Sequence, residues 1–188
     1  EEKNMSLTRD NSKVQEAIFS SLFPKHPYGT QTVLGTQENL KNPSITNIKN
    51  YYKQWYVPNN MAICMSGDLD PDATIALIDK YFGGLKPNPE LPKLDLPKEA
   101  PITQPVVKEV LGPDAESVAL AWRFPGVSDK DFEILQVVSQ VLYNGKAGLI
   151  DLDLNQQQKV LNSYGYPMGL ADYSALLLGG LPKQGQTL

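Results

Sequence analysis

Few residues of this sequence are placed to do chemistry. The single histidine, His26, sits in Phe23-Pro24-Lys25-His26-Pro27-Tyr28-Gly29, and the single cysteine, Cys64, in Met61-Ala62-Ile63-Cys64-Met65. A cysteine and a histidine can form a nucleophile pair. Nothing near Cys64 in sequence would lower its thiol pKa, however, and a thiol in an apolar strand is ordinarily inert packing. The sequence therefore predicts a buried, slowly reacting Cys64 and a structural turn at His26-Pro27-Tyr28-Gly29. One histidine excludes any site that needs two from this chain. One cysteine excludes an internal disulfide and a cysteine-rich metal site.

Asp68-Leu69-Asp70-Pro71-Asp72 opens like a calcium loop. That loop also needs glycine at its sixth position and a bidentate glutamate at its twelfth, where this chain has Ala73 and Asp79. The carboxylates read instead as a helix cap. Gly145-Lys146 suggests a phosphate loop, but Gln140 and Ala147 stand where a glycine and a Ser/Thr are required. Glu1 and Glu2, on their own, read as a solvated, frayed terminus.

Local signals give the elements that would hold these residues. Val14, Ala17, Ile18 and Leu22 recur at helical spacing over about residues 11–22, and Pro24 stops the helix. Ile45, Ile48, Tyr52 and Trp55 form the stripe of a second helix with Ser44 as N-cap. Residues 61–65 form a continuous apolar run, as expected of a strand buried on both faces. Asp70 caps a third helix with Pro71 at its first position, Ile75, Ile78 and Phe82 facing inward, and Gly83-Gly84 ending it. Six of the 15 prolines fall within residues 87–105, so that stretch is an extended connector without helix or central strand. Beyond it, strands are expected at residues 106–111 and 117–124. A helix from Ser128 to about Tyr143 presents a broad buried face. An antiparallel pair is expected at residues 160–166 and 173–178. The chain divides accordingly into residues 1–86, a linker at 87–104, and residues 105–188. The fold class is α+β.

Of 188 residues, 17 are Lys or Arg and 21 are Asp or Glu, a net charge of −4 that argues against an extended nucleic-acid surface. No apolar run approaches the ~20 residues of a membrane-spanning helix, and no signal-peptide pattern is present. The chain starts at Glu1 without an initiator methionine and reads as a fragment.

Several of these pieces, in order, resemble the pitrilysin/insulinase family of zinc metallopeptidases. They are Glu2-x-x-Met5, Phe23-Pro24-x-His26-Pro27-Tyr28-Gly29, Leu34-Gly35, Tyr56-Val57-Pro58-Asn59-Asn60-Met61, Ser66-Gly67-Asp68 and Tyr81-Phe82-Gly83-Gly84-Leu85. The resemblance is stronger before the linker than after it. It implies a two-domain arrangement, each domain a sheet covered by helices. Residues 1–86 would be the C-terminal part of the first, catalytic-type domain, and residues 105–188 the N-terminal part of the second, homologous and non-catalytic domain.

In that family an inverted H-x-x-E-H motif holds zinc with a third, downstream glutamate, and the metal activates water against a peptide carbonyl. This chain cannot contain the motif, which the resemblance places upstream of Glu1. Glu2 matches the downstream metal ligand, with Glu1 as its near competitor. The family's Arg and Tyr that grip the substrate carbonyl correspond to Gln156 and Ser163, which are neither.

The resemblance thus implies a fragment of a zinc-dependent endopeptidase acting on peptides or unfolded protein segments. The fragment alone is expected to be inactive and to bind no zinc tightly. Its partners would be a peptide substrate and the remainder of the same polypeptide or a homologous subunit. The rival reading is a non-catalytic peptide-binding or partner subunit of the same family. The compartment stays open, a periplasmic or otherwise extracytoplasmic place fitting a bacterial parent.

Overall fold

The computed structural model describes residues 1–187. In chain order the elements are α1 (Glu2–Thr8), α2 (Asp10–Leu22), α3 (Pro27–Thr30), α4 (Gln37–Lys41), α5 (Ile45–Trp55), α6 (Pro71–Phe82), β1 (Val118–Pro125), α7 (Lys130–Leu142), β2 (Asn162–Gly169) and β3 (Tyr173–Leu181). A single π-turn occupies Asp151–Asn155. The fold is α+β, with one antiparallel sheet in the order β1-β3-β2. Two compact units are present: residues 1–34 with 97–188, and residues 35–96.

In the larger unit, the sheet register pairs Ala121 with Leu177 and Met168 with Ala175, so these residues share one face. Leu22 and Phe23, at the end of α2, pack there against Ala175 and Leu177, with Ile18, Phe19, Tyr28 and Tyr173 around them. Phe23 is wholly buried; a side chain of that size contributes roughly 2–3 kcal/mol. The corner from α2 into α3 is tight, because a Cβ on Gly29 would run into the carbonyl oxygens of Phe19 and Phe23. The opposite face of the sheet carries α7. A Cβ on Gly169 would meet Phe132 and Val127 at 2.6 Å, so glycine lets the helix sit close.

Helix caps follow the local signals. Ser44 Oγ accepts the Asn47 N–H at 3.3 Å and Asp70 Oδ1 the Ala73 N–H at 2.8 Å, with Pro71 in the first turn of α6. The cap of α7 is Asp129, whose Oδ1 accepts the Asp131 N–H at 2.9 Å, one residue later than the expected Ser128. Residues 83–117 contain neither helix nor strand. Proline accounts for much of that stretch.

Other expectations are corrected. Residues 106–111 form no strand, and Val107 and Leu111 are largely exposed. Residues 61–65 likewise join no ladder, and Cys64 is exposed rather than buried. Both runs have strand composition. A strand also needs a neighbour for its amides and carbonyls, and neither run has one among the described residues. In the smaller unit Ile45, Ile48, Tyr52, Ile75 and Phe82 are exposed for the same reason: no sheet covers those helix faces among the described residues. Of the broad face expected on α7 (Phe132, Leu135, Val138 and Leu142, with Ile134 and Val141), only Leu135 is buried, because one sheet face covers one stripe; Ile134, Val138 and Val141 are exposed.

Candidate functional site

Glu2 opens α1, and its side chain is exposed. Glu1 precedes it as the N-cap residue, its carbonyl accepting the Met5 N–H at 3.0 Å. Among the described residues, no group of three His, Cys, Asp or Glu side chains comes together to hold a metal.

His26 lies far from such a role. Its ring is 1% exposed and sits 4.2 Å from the Tyr28 ring and 5.3 Å from that of Tyr173, centre to centre. Nδ1 accepts the Tyr28 N–H at 3.2 Å, which caps α3 and leaves the ring proton to Nε2. Nε2 faces Asp172 Oδ2 at 3.5 Å, too long for a good hydrogen bond. Tyr28 Oη donates to the same Asp172 oxygen at 3.2 Å. The sequence reading of a structural turn agrees with this geometry.

The segment around Gln156 and Ser163 is built by a carboxylate that sequence reasoning missed. Asp151 is 4% exposed. Its Oδ2 accepts the N–H groups of Asn144 and Gly145 at 3.0 Å and of Gly148 at 3.1 Å. Burial acts to raise its pKa, but these three amides and the Asn155 side chain together hold it below the ordinary 3.8. The carboxylate thus closes the loop after α7 from within. Gly145, at φ 79°, supplies the left-handed residue that the loop requires. The two glycines followed by Asp151 were the available signal.

Gln156 lies exposed beside this loop and donates through Nε2 to the Lys146 carbonyl at 2.7 Å. Ser163 is buried, its Oγ donating to Asn155 Oδ1 at 2.8 Å. Tyr164 and Tyr166 project from β2 with rings stacked at 6.2 Å, and Tyr166 is half exposed. An open depression of about 330 Å³ separates the loop from the start of β2, bordered by Tyr143, Lys146, Gln156, Leu161 and Asn162. Glu2 is not among its bordering residues. The structure offers no nucleophile–base pair here: Ser163 and Asn155 are occupied with each other.

The larger unit is thus an α+β arrangement, with α2 on one face of a small antiparallel sheet and α7 on the other. Residues 44–181 match the family model described as the Peptidase M16 inactive domain, and the chain belongs to that family. It is 28% identical over 173 residues to the zinc protease PqqE of Helicobacter pylori, an alignment covering 88% of this chain and 38% of that protein. It superposes on the crystal structure of a protease from Helicobacter pylori with a TM-score of 0.76 at 25% identity, covering 96% of this chain and 45% of that one. The first half of the periplasmic protease PqqL from Escherichia coli shares the fold, with a TM-score of 0.68 at 18% identity over 97% of this chain and 40% of that one. The chain therefore spans less than half the length of these proteins.

The relative is named for zinc, and the donor set here is the test of fit. Zinc sites in proteins take ~3 protein ligands or more. Glu2 is one exposed carboxylate, and His26 is enclosed by aromatic rings with one nitrogen already accepting a hydrogen bond. The residues described do not fit a zinc site by themselves.

Proposed function

We propose that the chain is a non-catalytic part of a zinc-dependent peptidase that hydrolyses peptide bonds in peptides or unfolded protein segments. The observation that carries the reading is the match of residues 44–181 to an inactive M16 domain. In this reading residues 1–86 end the first, catalytic-type domain, residues 87–104 link the halves, and residues 105–188 begin the second domain. The two histidines and the catalytic glutamate of an H-x-x-E-H motif come from another part of the polypeptide or from a homologous subunit. Glu2, the residue that resembles the family's downstream ligand, adds one carboxylate to that site. The exposed apolar stripes on α5, α6 and α7 support a partner of this kind, since such stripes are ordinarily covered. A periplasmic or otherwise extracytoplasmic location is supported by the name of the Escherichia coli protein that shares the fold.

A second reading, a peptide-binding or partner subunit without activity, is favoured by Gln156 and Ser163. One is tied to the Lys146 carbonyl and the other is buried against Asn155, so neither is free to grip a substrate carbonyl. The two readings separate in the intact protein carrying Glu2→Gln. Zinc content and peptide hydrolysis that fall together support the peptidase; a protein inactive before the change supports the subunit. Full activity and zinc content after the change remove Glu2 from the site and make Glu1 the next residue to test.

A further inference from the structure

Glu99 lies in the proline-rich connector, yet its side chain is only 1% exposed. A buried carboxylate is costly unless charge and hydrogen bonds compensate. Its Oε1 accepts the N–H groups of Lys25 and His26, both at 2.7 Å. Its own N–H donates to Tyr173 Oη at 2.8 Å. Its Oε2 is 3.9 Å from Nη1 of Arg123, which is itself 9% exposed. Arg123, on β1, donates from Nη1 to the Leu22 carbonyl and from Nη2 to the Ala100 carbonyl, with its guanidinium 5.6 Å from the Tyr173 ring centre.

The arrangement has a direction. Leu22 ends α2, and its carbonyl is one of those a helix leaves without a partner. The cation therefore meets the negative end of the helix, while the carboxylate meets the amides just beyond it. At the other end of α2, Asp10 Oδ2 accepts the Asp114 N–H at 2.9 Å. The Glu99 carboxylate thus joins the connector to main-chain amides 73 and 74 residues earlier in sequence, and Arg123 reaches a carbonyl 101 residues before it.

We propose that residues 97–101 act as a strap, buckled by Glu99 and Arg123, that fixes the α2–α3 corner to the sheet and makes residues 1–34 and the sheet one cooperative unit. The connector is then two different things along its length. Before residue 97, Asn88 exchanges hydrogen bonds with Asn59, its N–H reaching Asn59 Oδ1 at 2.9 Å and its carbonyl accepting from Asn59 Nδ2 at 2.8 Å. After residue 97 it is the strap. Through α2, the position of α1 is set by the sheet. The strap stands apart from the peptidase reading, because it concerns only which segments unfold together.

The test is amide hydrogen exchange on the intact protein, without substrate, for the wild type, Glu99→Gln, Arg123→Met and the double variant. Removing one partner of a buried pair strands the other, so each single change should lower protection of α2 by ~100-fold or more. Protection of α6 should stay unchanged, and the double variant should be within about 3-fold of the weaker single one, since the two residues act as a unit. Unchanged protection of α2, equal loss in α6, or fully additive losses would overturn the strap. Should both charge variants fail to fold, Tyr173→Phe decides. Removal of one hydroxyl acceptor should lower protection of α2 by ~10-fold, with α6 spared; no loss in α2 overturns the proposal.

Discussion

Asn155 takes the place of a neighbouring strand at Ser163. Its Oδ1 accepts the Ser163 N–H at 2.8 Å and its Nδ2 donates to the Ser163 carbonyl at 2.9 Å. The strand order leaves β2 at an edge of the sheet, where main-chain groups otherwise invite another chain. Two positions after Tyr164–Gly165, Pro167 contributes no donor at all, which blunts the same edge further. Asn155→Leu strands the Ser163 N–H, carbonyl and hydroxyl at once and should lower stability by ~2–4 kcal/mol. Urea denaturation measures it, and light scattering should show more self-association than in the wild type. Wild-type stability in the variant would mean that the contact carries no weight.

Asp151 makes stability depend on pH in a defined direction. Its pKa in the folded chain is held below 3.8, so the unfolded chain binds the proton more readily. The carboxylate's contribution is complete above the unfolded value and is lost as pH falls from about 3.8 towards the depressed folded value. The difference in Tm between wild type and Asp151→Asn should be large at neutral pH and shrink below pH ~4. A difference that stays constant through that range would contradict the amide-held carboxylate.

Gly29 sits where the chain turns from α2 into α3, with no room for a Cβ against the Phe19 and Phe23 carbonyls. Gly29→Ala should cost ~2–3 kcal/mol through overpacking of that corner. Thermal unfolding compared with Gly84→Ala, a glycine with open space around it, isolates the steric effect. Equal Tm values for the two variants would remove the crowding argument.

What the sequence made legible was local. Ser44, Asp70 and Pro71 announce their helices because a cap acts within three residues, and the pair β2–β3 was legible as two neighbouring runs, residues 160–166 and 173–178, close enough in sequence to pair directly. Residues 61–65 and 106–111 carry strand composition, but composition does not supply a partner, and the burial of Cys64 was inferred from a sheet that does not form around it among the described residues. Asp151 and Glu99 escaped notice for a related reason. Nothing in an isolated acidic residue tells that three amides, or two amides and a distant arginine, will converge on it. The family resemblance supplied what local physics did not, namely the class of protein.

Cys64 gives a simple check of the corrected strand. Its exposure predicts labelling by a thiol reagent at a rate close to that of an unfolded cysteine in the 188-residue chain. The proposed parent protein would supply further elements to cover the run at residues 61–65, and labelling there should slow by ~10-fold or more, as expected for a thiol packed among apolar side chains. Equal, rapid rates in both forms would show that nothing covers that run.

The most direct measurement compares the intact protein with the 188-residue chain on one unstructured peptide, with and without a metal chelator. The account predicts cleavage by the intact protein that the chelator abolishes and added zinc restores, and no cleavage by the chain alone, since one exposed carboxylate is no metal site. Chelator-sensitive cleavage by the chain alone would contradict it.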